Sequence, residues 1–237
     1  MAATMHARKQ AKPQLSAVRS RPQAKSLKLL RVCGGKWRGL KLFVPESKLD
    51  SSSSTRPTKS IVKESCFNSL AGEMYGACFI EAFAGSGSMG IEALSRGASV
   101  AIFCERETKA LEALQKNLSL LSITILESMA AHHRASTESP CAYIVRGDSF
   151  VSLGEILRIC KLPSILYLDP PFCIRQNYAD IYEKCASLID SIASPNLRHI
   201  IIEHSSEYKF ADVIGDFSKS KSKRFGKSTL TYFTQGV

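Results

Sequence analysis

Acidic residues are missing from both ends of this 237-residue chain. Residues 1–45 hold eleven lysines and arginines without one acid, and residues 217–237 hold five, again without an acid. Residues 46–216 carry 16 basic and 21 acidic residues, a balance of −5, so the net charge of +11 comes from the +16 of the two ends. Acid-free basic segments are typical of contact with a polyanion such as nucleic acid, although a solvated flexible tail has the same composition.

Long apolar runs are also missing. The longest, such as Ile165–Leu168, have the length of a strand, whereas a membrane helix needs roughly 20 residues. No apolar segment of a secretory signal follows Met1. We expect no membrane association and a cytoplasmic location, or an organelle stroma or matrix if the acid-poor N-terminus is a transit peptide.

The eight cysteines form no C-x-x-C pair, and no histidine has zinc-ligand spacing to two of them. We therefore expect free thiols in a reducing compartment and no metal site. Apolar residues make up 44% of the chain, enough for a packed core. The length suits one domain with a small appendage, and we expect a monomer.

Three segments are predicted along the chain. Residues 1–26 have no period and are expected to be a disordered basic extension. Residues 27–75 are expected to form an appendage on the RNA side. There, two short apolar runs flank the glycine-rich residues 33–39, which is typical of a hairpin, and T-R-P-T at 55–58 begins a helix.

Residues 76–237 alternate strand and helix patterns, which indicates an α/β fold with a mostly parallel sheet covered by helices on both faces. Residues 122–140 are expected to be a loop or a short irregular insertion, and weak alternation over 224–233 predicts a terminal hairpin. The predicted strands are 78–83, 99–104, 143–145, 164–168 and 198–203, and the predicted helices are 89–96, 107–121, 151–160 and 178–192.

Glycines and acids follow the ends of the predicted strands, where open α/β sheets bind ligands. Gly85-x-Gly87-x-x-Gly90 also fits a dinucleotide fingerprint, so a dinucleotide-dependent oxidoreductase or an inert nucleotide-binding module stays open. No lysine or arginine lies in residues 77–95, and four acids should converge on one crevice: Glu81, Glu105, Asp148 and Asp169. A carboxylate-lined crevice favours a cationic nucleoside such as S-adenosyl-L-methionine, with Glu105 on the ribose and Asp148 on the adenine amino group.

The tetrapeptide Asp169-Pro170-Pro171-Phe172 ends the fourth predicted strand. Two prolines fix a rigid turn that can aim the Asp169 carboxylate and a backbone carbonyl at one point. Such an acceptor pair suits the exocyclic amino group of a nucleobase, and Phe172 could stack on a base that is flipped out.

These motifs resemble those of the RsmD family, class I S-adenosylmethionine-dependent methyltransferases of small-subunit rRNA. The resemblance rests on F-A-G-S-G, on D-P-P-F, on the hairpin G-G-K-W-R-G-L-K-L and on T-R-P-T-x-x-x-V-K-E-x-x-F-N-x-L at 55–70. It implies a Rossmann-like, mostly parallel seven-stranded sheet and methyl transfer to a guanine N2 of 16S rRNA, free or in a 30S assembly intermediate. Two alternatives stay open. One is an adenine-N6 methyltransferase that uses the same D-P-P-F acceptor pair, and the other is an RNA-binding assembly factor without turnover.

The resemblance also implies roles for particular residues. The implied catalytic residues are Asp169 to Phe172, and the implied cofactor contacts are Glu81, Phe83, Gly85, Gly87, Glu105 and Asp148. Arg56 matches the start of the family's first helix, near the substrate entrance. The basic ends are expected to grip RNA through Lys36, Arg38, Arg56, Lys223 and Arg224. The chain departs from the family in having Glu81 where aspartate is common, a longer 122–140 segment and the basic extension.

Overall fold

A computed structural model describes residues 30–45, 56–128, 139–170 and 178–236, and for 56–58 and 178–180 it describes the backbone alone. The predicted extension at 1–26 lies outside these ranges, as do Pro171 and Phe172 of the tetrapeptide. The predictions for these residues therefore stay predictions.

The predicted hairpin and helix are present near the N-terminus. Strand β1 (Leu30–Arg31) pairs antiparallel with β2 (Lys41–Leu42), and helix α1 covers Arg56–Ser69. Gly35, at the turn between the strands, has a φ of 73°, a left-handed conformation that favours glycine. Hydrogen bonds between Val32 and Leu40, and between Gly39 and Val32, continue the hairpin from the two strands into the glycine-rich turn.

The rest of the described chain alternates as predicted, with additions at both edges of the sheet. The elements are β3 (Cys78–Glu81), α2 (Ser88–Ser95), β4 (Val100–Glu105), α3 (Thr108–Leu120), β5 (Thr124–Ile125), β6 (Cys141–Arg146), α4 (Ser149–Ile159), β7 (Ser164–Leu168), α5 (Tyr178–Asp190), β8 (Leu197–Ser205), β9 (Val213–Ile214), β10 (Phe217–Phe225) and β11 (Ser228–Gln235).

Within the described ranges the main sheet has nine strands, in the order β5-β6-β4-β3-β7-β8-β11-β10-β9. Strands β5, β6, β4, β3, β7 and β8 run parallel, and β11, β10 and β9 add antiparallel pairs. The expected α/β fold with a mostly parallel sheet is confirmed. The count exceeds the expected seven because β5 and β9 add two residues each at the edges, too short to show a period.

The core lies on both faces of the sheet. On one face, α1 and the hairpin pack with α2 and α3 around Phe79 and Phe103. On the other face, α4 and α5 cover Ile80 and Ile102. Neighbouring residues of one strand alternate between the two clusters, as the period of a strand requires. The described residues of the hairpin and α1 therefore share one core cluster with the strands and helices that follow them.

Candidate active site

The carboxyl ends of the parallel strands form one edge of the main sheet, and the predicted acids lie along it. Glu81 and Glu105 are the last residues of β3 and β4, and Asp169 directly follows β7. Asp148 follows β6 by two residues and is the N-cap of α4. Their predicted placement at strand ends is confirmed, but the contacts of each carboxylate differ.

The loop after β3 turns tightly through two glycines. Gly85 and Gly87 have φ angles of 55° and 79°, in the left-handed region that favours glycine. The Gly85 amide donates to Oε2 of Glu105 at 2.7 Å. Oε1 of Glu105 accepts from the amides of Arg106 and Glu107, both at 2.8 Å. One carboxylate thus ties the glycine loop to the end of the neighbouring strand.

Glu81 is buried and holds the start of α2. Its carboxylate accepts from the Met89 amide at 3.2 Å and from the Gly90 amide at 2.8 Å. A carboxylate at this position satisfies helix amides that have no partner within the helix and complements the helix dipole. Glu81 therefore positions the helix after the glycine loop, and its expected contact with a cofactor stays a prediction.

The strand-end edge is less negative than the sequence suggests. Nη1 of Arg106 lies 3.5 Å from Oδ2 of Asp148, and Oδ1 of Asp148 accepts from the Phe150 amide at 2.9 Å. Sequence reasoning missed Arg106 because it looked for basic residues only around the glycine loop. The available signal was the position of Arg106 directly after the expected ribose acid.

Two aromatic rings lie near Asp148. Phe83, a predicted site residue, meets Phe150 edge to face, with ring centroids 5.6 Å apart. Both rings are half-buried. Phe150 was not predicted, although it stands two residues after Asp148. The pair presents apolar aromatic surface of the kind that accepts a flat ring.

Asp169 and Pro170 leave the sheet next to the glycine loop. Strands β3 and β7 are neighbours, with Glu81 opposite Tyr167. The Ala82 amide extends this pairing by donating to the Tyr167 carbonyl at 3.0 Å. Asp169 is half-buried and Pro170 is buried. The glycine loop and the tetrapeptide that begins at Asp169 were predicted as separate motifs, and the order of the strands brings them together.

A tyrosine–carboxylate pair stands beside Asp169 and was missed by sequence reasoning. The Tyr167 hydroxyl donates to Oε2 of Glu203 at 2.7 Å. Burial raises the pKa of Tyr167 well above its usual range, and the charges of Glu203 and Asp169 raise it further. The phenol therefore stays protonated and remains a donor. Only the strand order reveals this pair, because 36 residues separate its members.

The hairpin residues predicted to bind RNA are displayed on a firmly docked loop. Lys36 and Arg38 are exposed, and the Lys36 ammonium lies 5.7 Å from the centroid of the Trp37 ring. The Lys36 amide donates to the Ser95 carbonyl at 2.7 Å, and the Ser95 hydroxyl donates to the Gly34 carbonyl at 2.6 Å. The hairpin is thereby fixed to the end of α2.

A buried ion pair strengthens this docking. Glu92 of α2 is fully buried, and its Oε2 lies 3.6 Å from the Lys63 ammonium of α1. The same oxygen accepts from the Cys33 amide at 2.7 Å, and Arg96 donates to Oε1 at 2.8 Å. Lys63 also donates to the Ser88 hydroxyl at 2.8 Å, at the start of α2. The hairpin and α1 therefore contact the helix that begins at the glycine loop.

Asn117 of α3 makes a second link to the glycine loop. It is fully buried, and its amide group donates to the carbonyls of Phe43 at 3.0 Å and Ser86 at 2.9 Å. Its Oδ1 accepts from the Phe43 amide at 2.8 Å. One side chain thus joins the end of the hairpin to the backbone between Gly85 and Gly87.

The C-terminal basic residues line strand β10. The Lys223 ammonium donates to the hydroxyls of Ser69 at 3.0 Å and Ser65 at 3.4 Å, which ties β10 to α1. Arg224 is exposed and donates to the Gly226 carbonyl at 3.0 Å. Arg56 is the first residue of α1, and its side chain lies outside the description. The RNA contacts of all three stay predictions.

Cysteines, candidate metal ligands and long apolar helices bear on three further expectations, within residues 30–45, 56–128, 139–170 and 178–236. The seven cysteines described there are free thiols. Within the same residues, no group of three or more His, Cys, Asp and Glu side chains could hold a metal ion. None of the helices described is long and apolar enough to cross a membrane.

Comparison with known proteins agrees with this geometry. A family model described as "Conserved hypothetical protein 95" matches residues 30–234. The "Putative rRNA methyltransferase YlbH" of Bacillus subtilis (strain 168) is 29% identical over 208 residues, which cover 86% of this chain and 98% of that protein. "Ribosomal RNA small subunit methyltransferase D" of Escherichia coli (strain K12) is 41% identical over 143 residues, 60% of each chain.

A solved structure is also similar. "Putative methyltransferase yhhF from Escherichia coli" superposes with a TM-score of 0.63 at 28% identity, over 88% of this chain and 98% of that one. The family match covers the hairpin, the glycine loop, Asp169 and the C-terminal strands together. The chain therefore belongs to the Conserved hypothetical protein 95 family, the RsmD family of class I S-adenosylmethionine-dependent methyltransferases.

Proposed function

We propose that this protein transfers a methyl group from S-adenosyl-L-methionine to the exocyclic N2 of a guanine in small-subunit (16S) rRNA. The observation that carries the proposal is the adjacency of β3 and β7, which sets the glycine loop beside Asp169 and Pro170. A cofactor held at the first strand end would then lie next to an amine held at the second. The names of the relatives, which describe methyltransferases of ribosomal RNA, support the substrate class.

The described residues fit the cofactor. The left-handed turn at Gly85 and Gly87 folds the backbone tightly at the end of β3, where a ligand would approach it. Glu105 accepts three backbone hydrogen bonds, and a carboxylate has about four acceptor sites, so one remains for a ribose hydroxyl. Phe83 and Phe150 would contact the adenine ring, and Asp148 would accept from its amino group. When bound, S-adenosyl-L-methionine supplies an electrophilic methyl group on a sulfonium.

Two acceptors would orient the amine that is methylated. The amino group of guanine has two N–H bonds, and its lone pair is delocalised into the ring. The Asp169 carboxylate and the Pro170 carbonyl would accept these two hydrogens, localising electron density on nitrogen and directing it toward the methyl. When the nitrogen takes the methyl group from the sulfonium, the amine would lose one proton to Asp169 or water. Phe172 would stack on the flipped base, and Pro171 would keep the turn rigid.

The basic residues would hold the RNA backbone. Lys36 and Arg38 at the hairpin, Arg56 at the start of α1, and Lys223 and Arg224 on β10 would contact phosphates. Lys223 already uses two of its three donors on serines, so we expect its contribution to be the smallest. The substrate would be free 16S rRNA or a 30S assembly intermediate, and we propose that the protein acts as a monomer.

The relatives are bacterial proteins named for ribosomal RNA, which supports a cytoplasmic location. They give no support to the transit-peptide alternative for residues 1–26. Adenine-N6 methylation stays the alternative reaction, because its amine offers the same two hydrogens to Asp169 and Pro170.

Two measurements test the proposal. Calorimetry should detect binding of S-adenosylhomocysteine and none of NAD; the reverse result would support an oxidoreductase. Radioactive S-adenosyl-L-methionine should label 30S particles from a bacterial strain that lacks small-subunit methyltransferase D. Asp169→Ala should abolish labelling while keeping the affinity for S-adenosylhomocysteine. Binding of RNA without any turnover would indicate an assembly factor instead.

A further inference from the structure

We propose that Glu203 selects guanine over adenine by accepting a hydrogen bond from the N1–H of the target base. This inference rests on the proposed function, because it assigns a role at the same base site. Glu203 would be a specificity residue on β8. This strand pairs with one side of β7, and β3, which leads into the glycine loop, pairs with the other side.

The register of the sheet brings Glu203 to Asp169. Strands β7 and β8 pair in parallel, with Tyr167 opposite Ile201 and Leu168 opposite Ile202. One further step along both strands sets Asp169 beside Glu203. Side chains two residues apart on a strand share a face, and Tyr167 contacts Glu203 directly. Asp169 is therefore on the face that carries this pair.

The Glu203 carboxylate is held in place and keeps an acceptor. Its Oε2 accepts from the buried Tyr167 hydroxyl at 2.7 Å, and its backbone is fixed by pairing with Leu230 of β11. The residue is half-buried. Among the contacts of the described residues, Oε1 accepts no hydrogen bond and makes no ion pair, so its lone pairs remain for a ligand that reaches this strand end.

The chemistry of the two purines makes such an acceptor discriminating. Beside its exocyclic amine, guanine presents an N1–H donor, whereas adenine presents an N1 lone pair. With Asp169 and Pro170 accepting the two amine hydrogens, Glu203 could accept the N1–H of guanine. Adenine in the same pose would direct its lone pair at the carboxylate, which is repulsive. A site built to bond a substrate N–H rejects an analogue that lacks it.

The test compares Glu203→Gln with wild type and with Glu207→Gln, an exposed control. The substrate is 30S particles from a strain lacking small-subunit methyltransferase D, and mass spectrometry of nucleosides counts N2-methylguanosine and N6-methyladenosine. We expect kcat/KM for guanine to fall by about 10-fold in Glu203→Gln, because the amide oxygen can still accept the N1–H but only as a neutral partner, and a charged hydrogen bond is roughly twice as strong. Affinity for S-adenosylhomocysteine should not change, and Glu207→Gln should match wild type.

Each outcome decides the inference. Guanine methylation at the wild-type rate in Glu203→Gln would refute the role of Glu203, whereas absence of N2-methylguanosine with wild type would refute the proposed function itself. If Glu203→Gln fails to fold, Tyr167→Phe decides, because it removes only the hydroxyl that orients the carboxylate. That variant should lower kcat/KM for guanine by about 3- to 10-fold, and an unchanged value would overturn the inference.

Discussion

Replacing Gly87 with alanine should destabilise the protein through two separate effects. The φ of 79° is left-handed, and an L-residue there costs about 1–2 kcal/mol. A Cβ at this position would lie 2.4 Å from Cδ1 of Leu114 and 3.1 Å from Cε1 of Phe103. Both side chains are fully buried, so they have little room to move, and overpacking adds about 1–3 kcal/mol.

Gly226 provides the matched control. Its φ of 64° is also left-handed, but no atom lies within 4 Å of a Cβ built there. Gly226→Ala should therefore show only the backbone cost of about 1–2 kcal/mol. Equilibrium unfolding in urea should give a free energy of unfolding that is lower in Gly87→Ala than in Gly226→Ala by about 1–3 kcal/mol.

Cofactor affinity provides a second readout. Displacement of the glycine loop in Gly87→Ala should weaken binding of S-adenosylhomocysteine, whereas Gly226→Ala, in the turn between β10 and β11, should bind it as wild type does. Equal losses of stability in the two variants, or unchanged affinity in Gly87→Ala, would refute the packing argument for this loop.

Three further predictions concern buried polar groups. Asn117→Ala should lower the free energy of unfolding by about 1–3 kcal/mol in urea, because it removes three hydrogen bonds and leaves the buried Ser86 carbonyl without its partner; a loss below about 0.5 kcal/mol would contradict this. Lys63→Met should cost about 1–3 kcal/mol, because the charge of buried Glu92 then keeps only Arg96 and the Cys33 amide as partners, and the double variant with Glu92→Leu should lose less than the two single variants together; simple additivity would contradict the pairing. Burial lowers the pKa of His204 below its usual 6.5, so the folded protein binds fewer protons than the unfolded chain below that pH. Stability should then fall as the pH drops below about 6.5, and His204→Gln should reduce this slope in a series of urea titrations; an unchanged slope would show that another group causes it.

The alternation of strands and helices was predictable because each element carries its own period. Strand β7 is found at the predicted residues, and α3 and α5 differ from prediction by one or two residues at their ends. The two-residue strands β5 and β9 were not predictable, since a Thr-Ile or Val-Ile pair has no period. Their pairing depends on neighbours that are distant in the chain.

Sequence reasoning predicted which residues lie at the strand ends but not what they contact. The role of Glu81 at the start of α2 and the pairing of Arg106 with Asp148 depend on side-chain geometry that spacing does not encode. Glu203 was missed because its partner Tyr167 lies on another strand. The docking of the hairpin on α2 was likewise hidden, since Glu92 appears in the sequence as an ordinary helical acid.

The central claim is methyl transfer to guanine N2 with Asp169 as an acceptor for the amine. The most direct measurement is mass spectrometry of nucleosides from 16S rRNA after reaction of wild type and Asp169→Ala with S-adenosyl-L-methionine and undermethylated 30S particles. The account predicts N2-methylguanosine with wild type and none with Asp169→Ala. Methyl groups on adenine or on protein only, or equal guanine methylation by both proteins, would contradict it.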